Sequence, residues 1–419
     1  MMSFGGSSTR RPLTFAVAAS LTLLAAAPVF PAMARTKPAA STKHAAKTAP
    51  APVAASSAST SDAPGGFSTT AQHVYMMDYD SGTVLYDKAG EDHIPTASLS
   101  KMMTAYVVFD QLKKGKIKLD DKFPVTKEAW QTGGSKMFVP LGGEVSVEDL
   151  VKGMVIQSGN DACVVLAEGI AGSQDAFVQM MNDTAQRIGL KDSHFADVNG
   201  LPNPDHYMTA RDLALLGAHL LRDFPEYYHY FSQLDFTFNG IKQGNRNPLL
   251  YRGIGADGIK TGHTEEAGFG LAASVKRGNR RIIMVATGMQ SMNGRADEGE
   301  KIIDYGFREF QNYQIVKKGD VVDQADVWLG VKPKVPLVAV SDLSAAMART
   351  SRRDMKVTLS YLAPLAAPVH AGTVVGKLVV TVPNMPDQEV PVATSEDVPA
   401  LGPVGRIGAA VSALIWHNH

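Results

Sequence analysis

Apolar residues recur at helical spacing after Pro95, at Leu99, Met102, Met103, Tyr106 and Val107. This predicts a helix that sets Ser98 and Lys101, three apart, on one face near its N-terminus. Upstream, apolar runs flank Asp80-Ser81-Gly82 in the manner of a hairpin, with order beginning near Gln72. Further helices are marked by their starts: Ser146 with Asp149, Ser173 before Asp175, and Thr209 with Asp212 each place a side-chain acceptor where free N–H groups need one. Gly189 is placed to end the second of these. Two β-rich runs, Gly268 to Val275 and Arg281 to Thr287, flank Gly278-Asn279 and read as a hairpin, and a last helix is expected near Ala296 to Phe310. Strands at both ends of a domain with helices between predict a mixed domain whose sheet is closed by sequence-distant strands.

After Gln314 the pattern changes to short Val-rich runs, such as Val327 to Val331, Met355 to Leu359 and Lys377 to Val382, separated by Pro and Gly turns. These predict a small all-β domain. The tail from Val404 to Trp416 puts Val404, Ile407, Val411, Leu414 and Ile415 on one helical face, which suits a helix lying on a membrane surface. At the other end, Arg10 and Arg11 precede an apolar run from Leu13 to Phe30, and Ala32-Met33-Ala34 supplies the small residues after which a signal peptidase cuts. Pro28 and Pro31 interrupt that run and argue against an uncleaved anchor. From Arg35 to Gly66 the chain holds no aromatic residue and only Val53 as a larger aliphatic, too little apolar surface to offset chain entropy. The expected organisation is a signal peptide over 1–34, a disordered tether over 35–66, a catalytic domain over 67–313, an all-β domain over 314–398 and an amphipathic tail over 399–419.

Lysine plus arginine equals aspartate plus glutamate, at 41 each in 419 residues, so the charge balance gives no sign of nucleic acid or another polyanion as partner. The single cysteine, Cys163, cannot form an internal bridge and reads as a small buried hydrophobe. The eleven histidines show no His-Glu-x-x-His or paired-Cys spacing, so neither a metal nor another cofactor is expected.

Three short motifs carry chemistry. Ser98-Leu99-Ser100-Lys101 fits Ser-x-x-Lys, Ser158-Gly159-Asn160 fits Ser-x-Asn, and Lys260-Thr261-Gly262 completes the set. Alone each is cheap, since Ser291-Met292-Asn293 also fits the second. Together they resemble the trio of the serine β-lactamases and penicillin-binding proteins. They occur in that order, the first opening a predicted helix, the second between helices and the third entering a hairpin. The stretches Thr96 to Thr104, Gln157 to Cys163 and Asp257 to Thr264 are similar to those of the low-molecular-mass penicillin-binding serine D-alanyl-D-alanine carboxypeptidases, and the β domain and tail share that group's layout.

The resemblance implies an α+β fold: a serine β-lactamase-like/transpeptidase catalytic domain, antiparallel sheet plus helical cluster, then the all-β domain and a C-terminal amphipathic helix. It implies an exported enzyme on the outer face of the cytoplasmic membrane. That enzyme would remove the terminal D-alanine from peptidoglycan stem pentapeptides through a seryl ester, and β-lactams would inhibit it. Ser98 would be the nucleophile and Lys101 its base, neutral through burial and the charge of Lys260. Ser158 would relay a proton, Asn160 would hold the substrate amide, and Lys260, Thr261 and Arg295 would meet the terminal carboxylate. The backbone N–H groups of Ser98 and His263 would form the oxyanion hole, with the His263 ring a neighbour of the site. Arg246 resembles a segment near the cleft. Rivals are a β-lactamase or a DD-endopeptidase with the same acylation chemistry, and an inactive wall-binding scaffold. No Glu-x-x-x-Asn pattern of the class A lactamases occurs in the chain, and every reactive group that a scaffold could dispense with is present.

Overall fold

Why the two ends of the catalytic domain meet is read in one strand register. The structure, a computed structural model, describes residues 66–383 and 387–408. The expected signal peptide, nearly all of the tether and residues 409–419 of the tail lie outside the described residues.

The chain runs β1 (His73–Asp78), β2 (Val84–Lys88), a 3-10 turn (Ala97–Ser100), α1 (Lys101–Lys113), β3 (Lys122–Pro124), α2 (Lys127–Gln131), β4 (Glu144–Ser146), α3 (Val147–Ile156) and α4 (Asn160–Ala171). It continues through α5 (Gln174–Arg187), α6 (Ala210–Asp223), β5 (Asp235–Phe238), β6 (Ile241–Gly244), β7 (Ala256–Thr264), β8 (Gly268–Arg277), β9 (Arg280–Met289) and α7 (Met292–Glu309). The main sheet is antiparallel in the order β2-β1-β9-β8-β7, with His73 opposite Thr287 and Asp78 opposite Ile282. The N-terminal hairpin thus adds to the last strand of the domain, as the alternation of helices and strands predicts.

Strand periodicity splits the core. Tyr75 and Met77 face the helical cluster, whereas Val74 and Met76 face α7 with Ile302, Ile303 and Tyr305. Each fully buried Leu, Phe or Met side chain in these layers contributes roughly 1.5–3 kcal/mol. Helix α1 departs from the expected one-faced pattern: Lys101 to Phe109 are all buried. It runs through the cluster with α3, α4, α5 and α6 around it, and a helix covered on every side needs no polar face. The three sequence-read caps hold, with Ser146, Ser173 and Thr209 accepting from the N–H of Asp149, Ala176 and Asp212.

The C-terminal part comprises β10 (Phe310–Val316), β11 (Val321–Trp328), β12 (Lys334–Ala339), β13 (Leu343–Ala348), β14 (Lys356–Tyr361), β15 (Leu365–Ala366), β16 (Val374–Thr381) and β17 (Gln388–Thr394). β10 pairs with β13, and the others form a sheet in the order β14-β16-β17-β12-β11-β15. The expected run from Val327 to Val331 is interrupted, because Leu329 takes a φ of 57° and ends the strand at Trp328. The two parts are joined through Asp78, wholly buried, which accepts from Arg280 Nε at 2.9 Å and Asn312 Nδ2 at 3.1 Å. After Leu401 a helix begins at 403–408 with Val404 and Ile407 exposed.

Candidate active site

The site forms where α1, the loop before α4 and the edge strand β7 converge. Ser98 sits in the 3-10 turn rather than in α1 itself, which begins at Lys101. The tighter turn still brings the two together: Lys101 Nζ donates to Ser98 Oγ at 2.8 Å. The same amine donates a very short hydrogen bond to the backbone carbonyl of Asn199. Lys101 is 1% exposed, whereas Ser98 is only partly covered and so open to a reactant.

Two glycines permit the closeness. A Cβ on Gly262 would lie 2.8 Å from the Thr96 carbonyl oxygen and 3.2 Å from Leu99 N, so the third residue of Lys-Thr-Gly lets β7 press against the turn that carries Ser98. A Cβ on Gly200, at a φ of 77°, would lie 1.9 Å from the Ala97 carbonyl oxygen. Any side chain there would push the Asn199 carbonyl off Lys101.

The opposite wall holds a second lysine–serine pair. Lys260 Nζ donates to Ser158 Oγ at 2.9 Å and to its neighbour's carbonyl, Thr261 O, at 3.1 Å, with both side chains buried. Ser158 has a φ of 63°, the left-handed region that costs a non-glycine residue about 1 kcal/mol or more. That conformation turns the chain into α4. Asn160, two residues later, donates from Nδ2 to Gly133 O at 2.8 Å. Its Oδ1 has no hydrogen-bond partner among the described residues and is the end free to accept an amide N–H.

Cations dominate the electrostatics. Burial, and then the Arg246 cation against the opposing charges of Asp197 and Asp161, brings Lys101 down to about 8. Burial, then Lys101, Arg246 and Arg295, push Lys260 well below the usual lysine range. From the sequence, the charge of Lys260 is expected to supply part of the Lys101 shift. Burial comes first, and the cation that lowers Lys101 further is Arg246. A cleft that resists holding both ammonium ions favours an anion as its ligand.

Arg295 lies in the first turn of α7, capped by Ser291, with its guanidinium over the Phe269 ring at 5.7 Å and Nη2 donating to the Arg246 carbonyl at 3.4 Å. It is 5% exposed, its Nε has no partner among the described residues, and burial followed by Arg246 lowers it to about 10. Arg246 itself donates to Ser135 Oγ at 2.5 Å, spanning the cleft rim. The His263 ring is exposed and lies 3.9 Å from Phe269, centroid to centroid. Thr261 is buried beside Lys260. Cys163 lies inside α4 with its thiol pushed up to about 12 by burial, which suits an inert packing role.

Sequence reasoning missed two acids. Asp161 is fully buried and accepts from the N–H groups of Met137, Phe138 and Val139 at 3.0, 2.9 and 3.2 Å, tying the 133–139 loop to α4. Its place directly after Ser-Gly-Asn, in the first helical turn, was the available signal. Asp197 organises the Asn199 turn. Among the described residues no group of three metal-ligating side chains is found.

Residues 57–291 match the family described as D-alanyl-D-alanine carboxypeptidase, and residues 310–400 match penicillin-binding protein 5, C-terminal domain. The chain is 40% identical to the D-alanyl-D-alanine carboxypeptidase DacC of Escherichia coli (strain K12) over 365 residues, 85% of this chain and 90% of that one. Among solved structures it is similar to penicillin binding protein 5 from Haemophilus influenzae, with a TM-score of 0.72 and 39% identity over 80% of this chain and 98% of that one. It is likewise similar to penicillin binding protein 6B from Escherichia coli, with a TM-score of 0.65 and 34% identity over 79% of this chain and 98% of that one.

Proposed function

We propose residue roles from one premise: this chain belongs to the D-alanyl-D-alanine carboxypeptidase family and is a serine peptidase that acts on peptidoglycan peptides and binds β-lactams. The observation that carries the reading is the buried Lys101 amine held between Ser98 Oγ and the Asn199 carbonyl. With one N–H committed to that carbonyl, the lone pair of the neutral amine can be aimed at the serine hydroxyl. Lys101 takes the Ser98 proton as Oγ bonds to the carbonyl carbon of the penultimate D-alanine. The N–H groups of Ser98 and His263 receive the charge that develops on oxygen. The C–N bond then breaks, and the proton from Lys101 passes through Ser158 to the leaving D-alanine nitrogen. Water cleaves the resulting ester and restores Ser98.

Substrate binding supplies what the free site lacks. Asn160 Oδ1 accepts a substrate backbone N–H, while Lys260, Thr261 and Arg295 take the terminal carboxylate. That carboxylate favours the charged form of Lys260, and a charged Lys260 in turn favours the neutral form of Lys101. Substrate thus helps to prepare its own base. A β-lactam follows the same acylation, but its leaving nitrogen stays tethered. One solved relative, penicillin-binding protein D2 from Listeria monocytogenes, is in an ampicillin-bound form.

We also read residues 1–34 as an export signal and 399–419 as a tail that rests on the outer face of the cytoplasmic membrane, which places the enzyme in the periplasm. Exposed Val404 and Ile407, three apart, support the tail reading. No described helix is long and apolar enough to cross a membrane. The test is labelling with a fluorescent penicillin beside D-alanine release from a pentapeptide and a penicillin-hydrolysis assay. Stable labelling with release is expected, and Ser98→Ala should lose both. Release above background in that variant would falsify the nucleophile assignment, and rapid penicillin turnover by the wild type would favour a lactamase.

A further inference from the structure

We propose that Asp197 is a positioning residue for the lysine base: its carboxylate gathers the Asn199–Gly200 turn and so holds the Asn199 carbonyl on the Lys101 amine. The proposal rests on Lys101 being the base. Asp197 Oδ1 accepts from the N–H of Asn199 at 2.8 Å and of Gly200 at 2.5 Å. One oxygen therefore fixes the peptide unit that contains the carbonyl Lys101 uses and the unit just before it. Its other oxygen, Oδ2, lies 3.1 Å from Nδ1 of His206, a residue 4% exposed whose ring meets Phe195 edge-on. The buried ring thus backs the carboxylate on one side.

The turn is anchored to α1 a second time, because Thr104 Oγ1 donates to the Val198 carbonyl at 2.7 Å. Two successive carbonyls, of Val198 and Asn199, are thereby docked on side chains one helical turn apart. Gly200 completes the arrangement by lying against Ala97 O. A shift of the turn would move the base and the nucleophile's turn together.

Asp197 also acts through charge. The charged or titratable groups around Lys101 are Asp161 and Cys163 of α4, Lys260 of β7, Arg246 of the segment before β7, and Asp197. Burial opposes ionisation of Asp197, but its contacts with His206 and the two N–H groups outweigh this and keep its carboxyl below the usual range. It is therefore an anion wherever the enzyme works. An anion near Lys101 retains the lysine proton, against the pull of burial and Arg246, and so helps to set the pH above which the base is available.

The experiment is the second-order rate of acylation by a fluorescent penicillin between pH 5 and 10, on the full chain. Asp197→Asn keeps an oxygen for the two N–H groups but removes the charge. It should move the acid limb to lower pH by about half a unit. Asp197→Ala removes both and should lower the high-pH plateau by about tenfold more than Asp197→Asn does. His206→Gln should keep a limb of the wild-type shape, because Lys101 is the group that titrates. An unmoved limb in Asp197→Asn, an equal plateau in the two Asp197 variants, or loss of the limb in His206→Gln each overturns the proposal. Acylation that survives in Lys101→Met would instead bring down the base assignment, and this proposal with it.

Discussion

The cleft contains two lysine–serine pairs of nearly equal length, each with a buried lysine, 2.8 Å for Lys101 with Ser98 and 2.9 Å for Lys260 with Ser158, and their surroundings differ in a way that fits the two proposed roles. Around Lys101 stand a carbonyl and the acids Asp197 and Asp161, which retain its proton against burial. At Lys260 burial, and then the neighbouring Lys101, Arg246 and Arg295, weaken the hold on the proton. The first environment tunes an amine near the pH of use, and the second awaits an anion. The partly exposed serine sits with the tuned lysine, and the buried serine with the crowded one. Chemical identity of the pair therefore says little; in the proposed mechanism the charges within a few ångströms separate the attacking pair from the receiving one.

Lys101→Met is the largest test of that contrast. Loss of the general base should cost at least about a thousandfold in acylation rate. Stability should move the other way with pH. Burial lowers Lys101 from 10.5 to about 8, so between those values the unfolded chain holds a proton that the folded one has released. The lysine thus carries a full stability deficit below pH 8 that fades as pH rises to 10.5. Urea unfolding of wild type and Lys101→Met should show their difference shifting toward wild type by on the order of 3 kcal/mol across that window. A pH-independent difference would mean that the amine is not depressed, and the two pairs would lose their distinction.

Arg295→Ala probes the anion-receiving side. At about 10 the guanidinium remains charged at neutral pH, and its loss should lower kcat/KM for a pentapeptide by about 2 kcal/mol, near thirtyfold. The melting temperature should stay within a few degrees of wild type. The same peptide with a C-terminal amide sharpens the reading, since it has no carboxylate to lose contact with. An equal penalty on both peptides would show that Arg295 supports the fold of the cleft rather than meeting the charge.

What the sequence disclosed follows from which signals are local. Helix caps need only a side chain and the N–H three residues on, so Ser146, Ser173 and Thr209 were readable. The hairpin at Gly278-Asn279 was readable from its turn. The three motifs stated which side chains meet, and the structure brings Ser98 to Lys101 and Ser158 to Lys260. The acceptor on Lys101 was not readable, because a backbone carbonyl at Asn199 carries no residue-type signature and arrives from about a hundred residues away. Asp161 was hidden for a related reason. Its partners are N–H groups of Met137, Phe138 and Val139, whose side chains advertise nothing polar. The all-round burial of α1 was obscured because an apolar stripe is visible in sequence whereas the helices that cover the other faces are not.

The smallest effect separates backbone from side chain at Ser158. Its φ of 63° is one that glycine adopts freely and alanine does not. Ser158→Gly and Ser158→Ala both remove the hydroxyl that Lys260 reaches, so the loss of that hydrogen bond cancels when the two variants are compared. What remains is conformation. Alanine is ordinarily the more stable of the two because glycine gains more freedom on unfolding. At this position the left-handed strain should reverse the order, leaving Ser158→Gly more stable by about 1 kcal/mol in urea unfolding. No comparable reversal is expected at Ser98, which is absent from the positive-φ residues. The reversal at 158 would thus place the strain of this pair on its serine, held by the buried contacts of α4, whereas beside Ser98 the positive φ falls one residue earlier, at Ala97. The ordinary order at 158 would mean that the turn relaxes once the hydroxyl is gone, and that the lysine contact, rather than the surrounding packing, imposes the conformation.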